Sequence, residues 1–203
     1  SLLNKISKKS NKKWLFINGG VGNYNTERYV NNYLENWSKL EFTDIIINYF
    51  VNDAEFINTK KTNFFVKYTH TGVVVWKLIN SFKSSLKKEN LVNYYKKIYD
   101  KDQKGLIITK KELLNLTNFC KKKKMNCFLV NMPDIHQLNP YKLRFSNEII
   151  KKNSSKINLK YFDLLPTFNN LNKDQVWNKY NDPHPNEYAH SLIANAIFDY
   201  LNK

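Results

Sequence analysis

The chain has 203 residues, of which 42% are hydrophobic and 15% aromatic, with a formal net charge of +16. That length suits one domain with a continuous core, and no apolar run reaches the length of a membrane span. The charge is almost all lysine, Arg28 and Arg144 being the only arginines, so the arginine forks that grip phosphate are nearly absent and no dedicated nucleic-acid partner is expected. Asparagine is as common as lysine, which reads as a coding bias rather than a selected basic face. Such a surface would still attract anionic membranes or polymers. Cys120 and Cys127 form neither a zinc motif nor a disulfide framework and read as buried free thiols. Localisation is not legible in a chain that opens on Ser1 rather than methionine.

In chain order, residues 1–9 place Leu2, Leu3 and Ile6 on one side of a helix. Lys13 to Asn18 (KWLFIN) fits a short buried strand, followed by the φ-permissive loop Gly19-Gly20-Val21-Gly22-Asn23-Tyr24-Asn25. Thr26 is placed as N-cap of a helix from Glu27 to Leu40, with Tyr29, Val30, Tyr33, Leu34 and Trp37 at helical spacing. Thr43 to Val51 (TDIIINYFV) is the strongest strand, expected to be central and parallel, and it delivers Asn52-Asp53 at its carboxyl end.

Residues 54–103 read as a helical insertion, with helices over Val73–Leu86 and Leu91–Tyr99. A lid or pocket wall and an ordinary crossover are both open for it. A helix from Gly105 to Lys124 follows, closed by lysines that suit its C-terminal dipole. Asn126 to Met132 (NCFLVNM) is the next strand, ended by Pro133. Pro140–Lys152 is helical, Leu159–Leu164 (LKYFDL) is a strand, and Asn186–Leu201 is the last helix, with Leu192, Ile193, Ala196, Ile197 and Tyr200 as its apolar stripe. Alternating strands and helices predict an α/β domain over residues 1–203, a mainly parallel sheet with helices on both faces. Ligands bind such sheets beyond the carboxyl ends of the strands.

The stretch Asn181-Asp182-Pro183-His184-Pro185-Asn186 precedes the last helix. The prolines stiffen it and push Asp182 and His184 towards extended geometry. An imidazole held this way, with a carboxylate two residues upstream, suits a general base. It is equally a helix entry capped by Asn186.

Three blocks, in order, resemble the SGNH (GDSL-type) hydrolase family, and the resemblance spans nearly the whole chain. Asn18 to Thr26 (NGGVGNYNT) is similar to the block N-x-G-V-x-G-Y-N-T, with Asn23 where the family has its oxyanion glycine and Gly22 beside it. Phe50-Val51-Asn52-Asp53 resembles G-x-N-D, with Phe50 replacing glycine. Asp182-Pro183-His184-Pro185-Asn186 resembles the histidine block, whose commonest form puts Asp three residues before His, where this chain has Asn181. His190-Ser191-Leu192-Ile193-Ala194 occupies a family-like position in the following helix. No Gly-Asp-Ser occurs in the chain, and the resemblance places that nucleophile block, with its strand, before Ser1.

The resemblance implies a flavodoxin-like three-layer α/β/α sandwich lacking its first strand here, and serine-dependent hydrolysis of a small-molecule, lipid or carbohydrate ester. In that reading His184 is the base, Asp182 orients it, and Asn52 with the backbone N–H of Asn23 or Gly22 forms the oxyanion hole. No metal or organic cofactor is implied. An O-acyltransferase using the same site and a non-catalytic carbohydrate- or partner-binding domain are the alternatives. Among other candidates, His136 falls on the carboxyl side of the sheet, either lining a pocket or solvated in a loop. His70 and His190 read as structural, Asp53 as a strand-end cap, and Asp163 as support for the histidine loop.

Overall fold

The computed structural model describes residues 1–11, 13–57, 90–179 and 182–202; the expected helix over 73–86 lies outside them. The described residues form an α/β structure with seven helices, a three-stranded parallel sheet and a two-stranded antiparallel ribbon.

Helix α1 (Leu2–Lys9) is capped by Ser1. The run 13–18 that follows joins no sheet among the described residues and is exposed or half-buried throughout, which overturns the expected buried strand. Side chains of α1 occupy its inner edge instead. Asn4 Nδ2 donates to Phe16 O at 2.9 Å, and the Phe16 N–H donates to Asn4 Oδ1 at 2.7 Å. Ser7 Oγ makes the same exchange with Trp14, at 3.0 and 2.6 Å. These contacts satisfy alternate backbone groups as a neighbouring strand would. Trp14 packs on Phe198, while Leu15 and Ile17 are 81% and 55% exposed.

Helix α2 (Thr26–Asn32) starts one residue earlier than expected. Asn25, not Thr26, is the cap, its Oδ1 accepting from the Arg28 N–H at 3.1 Å. The Thr26 hydroxyl is used elsewhere, on the carbonyl of Asp53. The helix runs on through a wider π turn, Tyr33–Trp37.

Strand β1 (Asp44–Tyr49) leads into a 3-10 turn, Val51–Ala54. Helices α3 (Leu91–Ile98) and α4 (Lys104–Lys123) precede β2 (Asn126–Asn131). Next come α5 (Arg144–Lys156), β3 (Lys160–Asp163) and a second 3-10 turn, Leu165–Phe168. The order β1-β2-β3 makes β2 the middle of the three strands among the described residues. Burial agrees: five of six β2 residues are buried, against two in β1.

Alternation along the strands divides the core. Ile47, Tyr49 and Leu129 face Val30 of α2, Leu106, Leu113 and Leu116 of α4 and Ile150 of α5. Ile46, Val130 and Phe162 face Ile193 and Ile197 of the last helix. The period of two along each strand thus covers both faces of the sheet with helices. The chain ends in a one-turn helix α6 (Lys173–Val176), the ribbon β4 (Trp177–Lys179) and β5 (Asp182–Pro185), and α7 (Glu187–Leu201). Asn186 caps α7 by accepting from the Ala189 N–H at 2.9 Å. No helix of the described residues is long and apolar enough to cross a membrane.

Candidate functional site

The strands of a parallel sheet all end on one side, and there the predicted residues collect in two groups. The first group joins the loop before α2 to the turn after β1. Asn25 Nδ2 donates to Glu55 O at 2.9 Å, and Thr26 Oγ1 donates to Asp53 O at 3.1 Å. Asn23 adopts a left-handed φ of 61°, a conformation asparagine tolerates better than most residues. Gly22, Asn23 and Asn52 are all exposed. The Asn52 side chain makes no hydrogen bond among the described residues, leaving its amide donors open.

Asp53 is a structural residue, as expected. Its carboxylate accepts from the Phe50 N–H at 3.0 Å and is 7% exposed. Burial pushes its pKa up to about 7, opposed by the Phe50 hydrogen bond and reinforced by nearby Glu55. Helix α4 presses against this turn at Gly105, where a Cβ would lie 2.7 Å from Phe56 N and closer still to the Ala54 carbonyl oxygen.

The second group is the histidine ribbon. Asp182 and His184 lie on β5, extended as the flanking prolines require. Asp182 Oδ1 lies 2.5 Å from His184 Nδ1 and accepts from the His184 backbone N–H at 3.2 Å. Asn178 on β4 donates to the other oxygen at 3.0 Å. Asn178 foremost, then His184, hold the Asp182 carboxyl down at about 2. A carboxylate on Nδ1 selects the Nδ1–H tautomer and leaves Nε2 as the acceptor. The His184 side chain is 85% exposed, so Nε2 is accessible. Asn181 lies outside the described residues; the Nδ1 contact that is described belongs to Asp182.

The sequence did not reveal the ribbon or Asn178, because a three-residue strand reading Trp-Asn-Lys has no periodicity to detect. A second pair of the same kind follows β2. The backbone N–H of His136 donates to Asp134 Oδ1 at 2.9 Å, and His136 Nδ1 contacts the same oxygen. The spacing Asp-x-His occurs at both 134–136 and 182–184, and that repetition was the available signal. The pairs are linked by Trp177. Its Nε1 donates to Ile135 O at 2.9 Å, and its backbone pairs with Pro185. Asp163, at the end of β3, accepts from Asn147 Nδ2 and from the Leu165 N–H, which fixes the turn after the strand.

No hydrogen bond joins the two groups among the described residues. His190 is an exposed residue within α7, and His70 is outside the described residues. Cys120 and Cys127 are buried free thiols at a helix end and a strand start. No group of metal-binding side chains occurs among the described residues. A cleft of about 550 Å³ opens beside Tyr24, Arg28 and Phe56, and neither Asn52 nor His184 lines it. No protein-family model matches the chain, and no curated protein or solved structure matches it.

Proposed function

We propose that the chain carries the base and the oxyanion donors of a serine-dependent ester hydrolase of the SGNH type, on a flavodoxin-like frame. The observation that carries this reading is the Asp182–His184 pair, with Nδ1 held at 2.5 Å and Nε2 open to solvent. In this reading the serine lies on a strand that precedes Ser1.

In the reaction, serine Oγ attacks the ester carbonyl while His184 Nε2 takes its proton. Asp182 keeps the ring in the reactive tautomer and stabilises the imidazolium. The oxyanion that forms accepts hydrogen bonds from Asn52 Nδ2 and from the backbone N–H of Asn23 or Gly22. Removing one such donor typically costs about a hundred- to thousand-fold in rate. Collapse breaks the ester C–O bond, and His184 returns the proton to the leaving alkoxide. Water, activated by the same nitrogen, then releases the acid.

Fluorophosphonate labelling tests the reading. A protein that includes the sequence preceding Ser1 should be labelled on one serine in that segment, and residues 1–203 alone should not. Labelling of a serine within 1–203, or none in the longer protein, contradicts it.

A further inference from the structure

The Asp134–His136 pair is built with more care than a loop histidine needs. Asp134 is only 5% exposed, and burying a carboxylate is costly unless its oxygens are engaged. Oδ1 is engaged twice by one residue, through the His136 backbone N–H and Nδ1. The neighbouring backbone is fixed as well: the Asp134 N–H donates to Tyr141 Oη at 3.2 Å, and the Ile135 carbonyl accepts from Trp177. Nδ1 therefore carries the proton, and Nε2 is an acceptor on a ring that is 54% exposed. That nitrogen has no partner among the described residues.

Position gives the pair a use. It follows β2, the middle strand, so its loop lies between those that follow β1 and β3. The His136 ring stands edge-on to Trp177, with centroids 6.1 Å apart. Trp177 in turn pairs with Pro185, the residue after His184. An outward acceptor beside a half-buried indole, itself paired with the residue next to the proposed base, matches an alcohol that carries both hydroxyl groups and C–H faces. A plain alkyl chain has no proton to offer Nε2.

We propose that Asp134, His136 and Trp177 form a hydroxyl-binding subsite that receives the alcohol portion of a polyhydroxylated, sugar-type ester. His136 Nε2 accepts a hydrogen bond from a substrate hydroxyl, and Asp134 acts through it as a positioning residue. This subsite rests on the ester-hydrolase reading for its purpose, but its binding is independent of turnover. A site built around a substrate hydroxyl discriminates against analogues that lack it.

The test is a titration of the 203-residue chain with an O-acetylated xylo-oligosaccharide, propyl acetate serving as the ester without hydroxyls. Imidazole resonances of His136 and the indole N–H of Trp177 are followed by NMR. Both should shift saturably with the sugar ester and stay in place with propyl acetate. His136→Ala should weaken binding roughly tenfold, the worth of one net hydrogen bond. His136→Gln, which keeps an acceptor, should recover most of it. No saturable shift with the sugar ester, equal shifts with both esters, or undiminished binding by His136→Ala each overturn the subsite. Fluorophosphonate labelling of the longer protein reports on the hydrolase reading separately. Sugar binding without labelling sinks that reading alone, and labelling without sugar binding sinks the subsite alone.

Discussion

Thr26 donates its hydroxyl proton to the carbonyl oxygen of Asp53 at 3.1 Å, and both residues are buried. This bond ties the first turn of α2 to the turn after β1, and so fixes the Asn23 loop against the Asn52 turn. Thr109 of α4 shares the same carbonyl at 3.3 Å. Thr26→Val keeps the shape but removes one of two donors to that carbonyl and the acceptor of the Tyr29 hydroxyl, so it should destabilise by about 1–2 kcal/mol in urea unfolding. An unchanged midpoint would show that neither hydrogen bond of the Thr26 hydroxyl holds the turn.

Gly105 is a second fixed point of that turn. An alanine inside a helix is ordinarily worth about 1 kcal/mol over glycine. Here the added carbon meets the backbone of Ala54 and Phe56, which cannot rotate away. Gly105→Ala should therefore lower stability, by about 2 kcal/mol net of the propensity gain. A raised melting temperature would mean that α4 and the turn separate easily.

Much of this was legible in the sequence, and the losses have physical causes. Asn186 as a cap, the stripe Ile193–Ile197, α4 and β2 follow from periodicity and local hydrogen bonding, which are properties of neighbouring residues. The run 13–18 misled because its apolar composition matches a strand, whereas Asn4 and Ser7 occupy its edge through side-chain chemistry that no pattern displays. β1 reads as covered on both faces, and Ile47 and Ile46 do pack into opposite halves of the core. Asn181 and Asp182 were both open as partners of His184, because spacing alone does not show which side chain reaches Nδ1; the described contact is that of Asp182. Asp134–His136 had visible spacing, but the burial of Asp134 comes from tertiary packing around Ile135 and Tyr141.

Asp53 makes folding depend on pH. Its folded pKa of about 7 lies above the unfolded value near 4, so between these pH values the folded state holds a proton the unfolded state has lost. Stability contributed here falls as pH rises through that window, by roughly 4 kcal/mol at the limit. Glu55, also raised by burial, adds slope of the same sign. Asp53→Asn keeps an acceptor for the Phe50 N–H and should flatten the pH dependence between about 4 and 7. A slope identical to wild type would show that Asp53 is charged throughout.

Asp182 behaves in the opposite sense. Its carboxyl is depressed to about 2, so the contribution of its hydrogen bonds is complete above the unfolded pKa and is lost as pH falls towards 2. In an NMR titration its carboxyl carbon should move with a midpoint near 2. Asn178→Ala, which removes the leading cause, should raise that midpoint. No response to Asn178→Ala would show that His184 alone sets the charge.

The most direct measurement is kcat/KM for a short-chain chromogenic ester, in the protein that includes the sequence preceding Ser1, for wild type, His184→Ala, Asp182→Asn and Asn181→Ala. Removing the base should reduce the rate to background while the fold, followed by circular dichroism, is retained. Asp182→Asn should lower it far more than Asn181→Ala, because the 2.5 Å contact to Nδ1 belongs to Asp182. Near-normal turnover by a folded His184→Ala protein, or a larger loss from Asn181→Ala than from Asp182→Asn, would contradict the account.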